Sequence, residues 1–472
     1  MPKSVLMVFC VALVGCSLAP DYQRPAAPVA GQWSALTSPA AEGSVQANAI
    51  GWRTYFPDPR LQSLIAAAIE HNRDLRIAAA RVAEARAMFG IAHADRLPNI
   101  DLVASGTAAR TPGDLSLSGR KTTSHRSDVG VSLLSYELDF WGRLKSLDAV
   151  AQASYLASEE AKQAVRVALI ADVATAYLSL LESNERTLLT RETVRTREQT
   201  RQMVSRRRDV GLASDLDYLQ ADGALELARV ESASLERQRS AAINALTLLV
   251  GVEPSALPAG RSLSEQGIVA NLASGIPSEV LLQRPDVMAA EQRLIAANAN
   301  IGAARAAFLP RISLTAGVGT ASSALSGLFD AGQSVWSFQP TLRLPLFDAG
   351  RSAAATDLAE ARKNVAVAEY EKAIQQAFRE VADLLAANDQ LKEQLRAQER
   401  SARVQAERLR LTDARHKGGV ASYLEVLDAQ RDSFAAQQAE IQTRRILLSS
   451  AAQLFKALGG GKIDDSAARI VR

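Results

Sequence analysis

The sequence contains one long pattern twice, and this duplication constrains the fold more than any other feature. Segment 72–102 aligns with 284–314 at an offset of 212 residues, so that Gly90 matches Gly302 and Pro98 matches Pro310. Further on, 211–251 aligns with 419–459 at an offset of 208 residues. A register kept over segments of this length predicts a tandem copy of one long unit and argues against a solenoid of short repeats.

Both copies show the same order of predicted elements: a helix, two strands, a very long helix, a tight turn and a last helix. The first helix is predicted over 58–97, with Pro59 in its first turn and Pro98 after its end. Apolar residues alternate with polar ones in 99–110, 127–140, 311–320 and 335–347, which is the period of a strand. The first copy is assigned to 57–260 and the second to 277–461, with a linker over 261–276 and a tail over 462–472.

The long helices are far longer than a globular core needs. They are predicted over 141–209 and 350–417, which contain no Pro. At about 1.5 Å per residue, each would extend on the order of 100 Å. Apolar residues at spacings of three and four, such as Ile170, Val173 and Tyr177, indicate coiled-coil seams. A cytosolic coiled coil would explain these helices but not the strand pairs, the N-terminal secretory signal or the duplication.

The N-terminus predicts export and a lipid anchor. Residues 1–15 carry one Lys followed by a short apolar run, which is typical of a secretory signal. The motif "LVGC" ending at Cys16 resembles a bacterial lipobox, which implies that Cys16 becomes the acylated first residue of the mature chain. An ordinary signal with an incidental Cys is the alternative. Residues 16–56 are rich in Pro, Ala and Ser and are predicted to form an extended tether.

Composition and motifs argue against an enzyme and against nucleic-acid binding. The formal net charge is only +3, and no basic patch interleaved with aromatics is present. The four His residues lack metal-ligand spacing, and the HExxH, GxSxG and Walker motifs are absent. We therefore expect no metal and no cofactor apart from the covalent lipid on Cys16.

The strands predict how the chain would cross a bilayer. The sequence has no later run of 18 apolar residues, so it argues against a transmembrane helix and predicts that any crossing uses strands. Four strands per chain cannot close a barrel, and an open edge in lipid costs several kcal/mol for each unpaired backbone group. Several chains must share one barrel, and the physical argument leaves a dimer with 8 strands and a trimer with 12 both open.

Several segments, in order, resemble TolC-like outer-membrane efflux factors of the OprM/NodT lipoprotein type. They are "LAPDYQRP", "WRTYFPDPRLQSLIAAAIEHNRDL", "RPDVMAAEQRLIAANANIGAARAAFLPRISL", "FDAGR", "FREVADLLA" and "LDAQR". The resemblance implies a mainly α fold with a small β part. In it, a trimeric α-barrel of long coiled-coil helices is continuous with a 12-stranded outer-membrane β-barrel.

The same resemblance implies a passive exit duct in the outer membrane with a long periplasmic extension. Its partners would be two further copies, outer-membrane lipid, a periplasmic adaptor and an inner-membrane RND-type transporter, and its cargo would be drugs and other small amphiphiles. Two alternatives remain: a type I secretion duct for polypeptides, and a non-conducting structural coiled-coil lipoprotein.

The two turns between the long helices are the predicted partner contacts. Gly211 and Gly419 are placed as helix stops in the turns 209–214 and 417–422, and Ser214 and Ser422 as caps of the helices that follow. By the resemblance, the adaptor-contact tips are Val210, Gly211, Leu212, Gly419 and Val420.

The second turn is followed by a predicted periplasmic gate. Leu424, Asp428 and Arg431 fall at i, i+4 and i+7 on one helix face, and an isolated chain would use them as an ordinary face with an Asp–Arg pair. The resemblance implies that three copies of Leu424 plug the pore and that three Asp428 carboxylates form a ring beside Arg431. Like charges so close disfavour full ionisation, which predicts sensitivity to pH and cations.

The first copy lacks this gate set. It has Leu216, Gln220 and Gly223 in place of Leu424, Asp428 and Arg431. The second turn itself departs from the family at one position, because His416 stands where relatives often carry Tyr.

Overall fold

The computed structural model describes residues 17–31, 51–116, 119–253, 257–268 and 278–460. The described residues fall into two compact units. The sheet unit consists of the described parts of 1–26, 81–159 and 289–371, and the helical unit of those of 27–80, 160–288 and 372–472. Cys16, the signal, most of the tether and the C-terminal tail lie outside the described residues.

The elements follow the predicted order in both copies. The helices are α1 (Trp52–Tyr55), α2 (Pro59–His71), α3 (Arg73–Ala94), α4 (Arg143–Asp209), α5 (Asp215–Val250), α6 (Pro285–Ala306), α7 (Arg351–Lys417) and α8 (Tyr423–Ala457). The strands are β1 (Ile100–Thr111), β2 (Thr122–Glu137), β3 (Arg311–Ser322) and β4 (Ser334–Arg343). The two long helices, α4 and α7, contain 67 residues each, within two residues of their predicted bounds.

The four strands form one antiparallel sheet in the order β1-β2-β3-β4, so that β1 and β4 are its edges. The two copies meet where β2 pairs with β3, and there Gly130 lies opposite Gly319. A Cβ on Gly319 would come within 2.3 Å of the Val129 carbonyl oxygen, so the close approach of these strands requires glycine. The strand β2 begins at Thr122, five residues before the prediction, because its polar first residues pair with β1 although they show no apolar period.

The first predicted helix is in fact two helices, and the prediction of one helix over 58–97 was wrong. The chain is extended at Asn72, with ψ of 133°, between α2 and α3. The Asn72 side chain accepts a hydrogen bond from the Leu75 N–H and donates one to the Leu249 carbonyl, both at 2.9 Å. The break is therefore fixed by a cap and by a tertiary contact rather than by a local helix breaker.

The core of the helical unit brings α1 and α2 against the long helices. Its largest fully buried side chains include Tyr55, Phe56, Tyr177 and Phe455. At its centre the buried Asp58 carboxylate caps α2 through the Arg60 N–H at 2.9 Å and accepts the Tyr177 hydroxyl at 2.9 Å. It also accepts an amide from Gln266 at 2.9 Å, which ties the linker between the copies to this core.

Helix α4 also qualifies the sequence argument against a membrane-spanning helix. It contains an 18-residue window with a mean hydropathy of 1.7, which is apolar enough to cross a membrane by composition, so hydropathy alone does not exclude such a span. In the structure 44% of that window is buried inside the protein. Ile170, Val173 and Tyr177 belong to the core of the helical unit, which accounts for the apolar run without a membrane.

Candidate functional site

The turn between α4 and α5, which we call tip 1, is built by glycine and a capping box. Gly211 has φ of +76°, and the Leu212 N–H donates to the Arg207 carbonyl at 2.7 Å, which satisfies the end of α4. Ser214 caps α5, and its N–H donates to the Asp217 carboxylate at 3.0 Å. Hydrogen bonds from the Ser214 backbone N–H and from its hydroxyl lower the pKa of Asp217.

The turn between α7 and α8, which we call tip 2, repeats this chemistry. Gly419 has φ of +74°, and the Val420 N–H donates to the Arg415 carbonyl at 2.9 Å. Ser422 and Glu425 form the second capping box, and hydrogen bonds from Ser422 lower the pKa of Glu425. The predicted roles of Ser214 and Ser422 as caps are confirmed, and His416 places its Nδ1 3.0 Å from the Ala421 carbonyl oxygen.

Both tips expose apolar side chains. Val210, Leu212 and Val420 are each largely exposed, and Val420 is 71% accessible. The left-handed glycines and the caps hold these side chains at the outer end of each hairpin. The assignment of these residues as adaptor contacts stays a prediction.

The predicted gate residues lie together at the start of α8. Leu424 is 52% exposed, and Arg431 Nη1 lies 3.2 Å from Asp428 Oδ1. Their helical spacing places Leu424 on the same face as this ion pair. Asp428 thus has a partner within its own chain, and the gating role of all three residues stays a prediction.

Sequence reasoning missed Asp432, which joins this group to the opposite helix. Its carboxylate accepts Arg408 Nη1 from α7 at 2.7 Å and Arg431 Nη2 at 3.0 Å. The hydrogen bond from Arg408, followed by that from Arg431, lowers the pKa of Asp432. Helical spacing could not reveal this contact, because Arg408 lies across the turn on another helix.

Tip 1 carries different charges. Arg201 on α4 lies 3.5 Å from Asp222 on α5, and the Arg208 guanidinium lies 4.2 Å from the centre of the Tyr218 ring. Neither contact involves Leu216 or Gln220, which occupy the positions of Leu424 and Asp428. The two tips are therefore alike in backbone and caps but different in their charged side chains.

One face of the sheet is apolar and exposed. The strand register aligns Leu102 with Val131, Val131 with Val318, and Val318 with Trp336, so these side chains share a face. Leu102 is 77% and Trp336 79% exposed. An exposed apolar face of this extent marks a surface that contacts lipid or another protein.

The long helices of the helical unit pack side by side in the order α5, α4, α8, α7. The contacts that set this order are Arg239–Asn184 and Arg201–Asp222 between α5 and α4, Gln438–Thr190 and Arg445–Glu182 between α8 and α4, and Arg444–Glu399 and Arg408–Asp432 between α8 and α7. The outer helices carry exposed apolar stripes, which are Leu216, Leu219, Leu227 and Val230 on α5 and Val404 and Leu411 on α7.

Metal binding finds no support in the part of the chain that the structure describes. No group of three or more His, Cys, Asp or Glu side chains is arranged there to hold an ion. The predicted lipid site, Cys16, falls outside the described residues and directly precedes Ser17.

Comparison with known proteins places these features in a family. The sequence profile of the outer membrane efflux protein family matches residues 64–252 and 276–460. The chain is 45% identical over 456 residues to outer membrane protein OprJ of Pseudomonas aeruginosa, covering 96% of this chain and 95% of that protein. It is 45% identical over 459 residues to the toluene efflux pump outer membrane protein TtgF of Pseudomonas putida, covering 96% and 95%.

A solved structure of an outer membrane channel has a similar fold. The open state of the Neisseria gonorrhoeae MtrE outer membrane channel matches with a TM-score of 0.85 and 39% identity, covering 94% of this chain and 98% of that one. Family and relatives are channel proteins of the outer membrane rather than enzymes. The chain belongs to the outer membrane efflux protein family.

Proposed function

We propose that the protein is a passive trimeric channel that exports drugs and other small amphiphiles across the outer membrane. The observation that carries this proposal is the four-stranded sheet with an apolar exposed face and two open edges, β1 and β4. Unpaired edges cost several kcal/mol per backbone group in hydrocarbon, so strands of further copies must pair with them. Three copies give 12 strands, the number that the family resemblance implies.

The edges of the helical unit support a closed ring. The stripe on α5 differs from that on α7, and a head-to-tail contact would bring these two different surfaces together. Such a heterologous interface closes into a ring when the rotation between copies allows it. We infer that α5 of one copy packs against α7 of the next.

Within this assembly the tips are the docking points. Val210, Gly211, Leu212, Gly419 and Val420 would contact a periplasmic adaptor, which would link the channel to an inner-membrane RND-type transporter. Relatives named as outer membrane proteins of efflux pumps support such partners. The gate would be Leu424, Asp428 and Arg431, which three copies bring around one axis.

The anchor would be a covalent lipid on Cys16, with no other cofactor. The lipobox resemblance is the support for this assignment. We also propose that the chain has no catalytic activity, consistent with a family of channel proteins.

Planar-bilayer conductance together with drug accumulation tests the function. We expect the purified full chain to form trimers that conduct, and cells lacking the protein to accumulate hydrophobic drugs and solvents. Trimers that never conduct would contradict a channel and support a structural coiled-coil lipoprotein. Conducting trimers whose loss abolishes secretion of a polypeptide, with drug accumulation unchanged, would instead support a type I secretion duct.

A further inference from the structure

The first described residues of the chain form a strap, defined here as residues 17–24, that is bound through a buried carboxylate. Glu291 on α6 is only 7% exposed. Its two oxygens accept Arg24 Nε at 2.6 Å and Arg24 Nη2 at 2.8 Å, and the Tyr22 hydroxyl donates to the same carboxylate at 3.0 Å. Charge-assisted, bidentate contacts of this kind are among the stronger hydrogen bonds in proteins.

Two further contacts continue along α6 toward the N-terminal end of the strap. Asn298 Nδ2 donates to the Pro20 carbonyl at 2.7 Å. One turn later, Gly302 leaves room for the strap and for Ser146 on α4, since a Cβ there would lie 2.7 Å from both the Ala19 nitrogen and Ser146 Oγ. The face of α6 that carries Glu291, Asn298 and Gly302 is therefore shaped to the strap.

The duplication provides a comparison for this face within the same chain. At the offset of 212 residues, Glu291, Asn298 and Gly302 correspond to Ala79, Arg86 and Gly90. These three residues are exposed, and a Cβ on Gly90 would meet nothing within 4 Å. Only the second copy combines the carboxylate, the amide and a covered glycine, which indicates that this face diverged to bind the strap.

We propose that the strap is a latch that fixes the height of the lipid anchor relative to the sheet. This inference rests on the proposed lipidation of Cys16. Cys16 is three residue steps from Ala19, so the chain can extend at most about 11 Å beyond the contact with Gly302. From Gly302, α6 continues for four residues to Ala306, about 6 Å, and β3 begins five residues later, at Arg311.

The latch has a consequence for assembly. Acyl chains held close to the start of β3 enter the bilayer together with the sheet, because the strap, residues 289–306 of α6 and β3 all belong to the sheet unit. An unlatched strap would leave the anchor on a flexible tether, at a variable distance from the strands. The anchor would then no longer align the sheets of the three copies before their edges pair.

Docking of the strap can be tested with a spin label at Gln23→Cys in the purified full chain. Cys16 is the only other cysteine of the mature sequence, and acylation blocks it. We expect an immobilised label in the parent, and a mobile label in Glu291→Gln and in Gly302→Ala. Gly90→Ala is the matched control at the open glycine, and Glu360→Gln is the control for an exposed ion pair of the same unit. A label that stays immobile in both Glu291→Gln and Gly302→Ala would overturn the latch.

Coupling to the lipid is tested by comparing acylated chains with Cys16→Ser chains exported through a non-lipoprotein signal. In acylated chains we expect Glu291→Gln to lower the yield of membrane-inserted trimers roughly threefold or more, because the charge-assisted contacts are lost. In Cys16→Ser chains the same change should have no further effect. An equal loss in both backgrounds, or no loss in either, would contradict the link to the anchor. Failure of the proposed channel function would appear separately, as parent trimers that do not conduct.

Discussion

Arg408 on α7 and Asp432 on α8 join the two helices of the second hairpin through a hydrogen-bonded ion pair of 2.7 Å. The matched positions in the first hairpin are Thr200 and Ala224, which cannot form such a pair. Because Asp432 also binds Arg431, the predicted gate face is tied to the neighbouring helix. The two hairpins thus differ in the contact that would resist their separation.

The first prediction is that Asp432→Asn loosens the second hairpin and raises the open probability of the channel in planar bilayers. The substitution keeps the side-chain shape but removes the charge that binds Arg408 and Arg431. Asp222→Asn is the control, since it weakens the cross-hairpin pair of tip 1. An equal rise in both variants would show that the effect is not specific to the gate.

The pH dependence of this contact follows from the lowered pKa of Asp432. A carboxyl whose folded-state pKa lies below its ordinary value of 3.8 contributes fully above that value, and its contribution is lost as the pH falls through the lowered pKa. We therefore expect the Asp432 contact to persist between about pH 5 and 8 and to fail only in stronger acid. Opening of the parent near pH 6 that persists in Asp432→Asn would have to come from other groups.

The second prediction concerns the gate residues themselves. Combining Leu424→Ala with Asp428→Ala removes the apolar plug and the carboxylate ring, so bilayer conductance should rise and cells should become sensitive to large antibiotics. The duplication supplies a matched control for the carboxylate, Gln220→Ala, at the position of Asp428 in tip 1, because Leu216 lies in the α5 stripe assigned to the interface between copies. Unchanged conductance in the Leu424 and Asp428 variant would remove the gate assignment.

The third prediction is that Val420→Glu abolishes efflux while trimers remain intact, because a charge would disrupt an apolar contact with the adaptor. A charged residue at Gly211 is a poorer test, since φ of +76° would strain any side chain there. Arg396→Glu, a charge change at an exposed side chain of α7, is the control. Loss of trimers in Val420→Glu would indicate a purely structural turn.

Sequence reasoning was most accurate where local chemistry decides the structure. The ends of α4 and α7 and the two capping boxes follow from Gly, Ser and acidic residues close in sequence. Contacts between residues far apart in the sequence were missed, because no local pattern in the sequence specifies them. The break at Asn72 depends on Leu249, and the strap depends on Glu291, 267 residues from Arg24. No periodicity encodes such pairs.

The last prediction tests the ring directly, through disulfides between the edge helices. Three contacts set how the four long helices are aligned along their common axis: Arg201–Asp222, Gln438–Thr190 and Arg408–Asp432. With this alignment, Leu227 on α5 and Leu411 on α7 lie within about one helical turn, 5.4 Å, of each other along that axis. In a head-to-tail ring, Leu227→Cys with Leu411→Cys should therefore cross-link neighbouring copies into dimers and covalent trimers on a non-reducing gel. The control is Leu248→Cys with Leu411→Cys, which should not cross-link, because Leu248 lies more than five helical turns from Leu227 along α5. Dimers without trimers would contradict a heterologous ring, because a two-fold contact pairs only two copies.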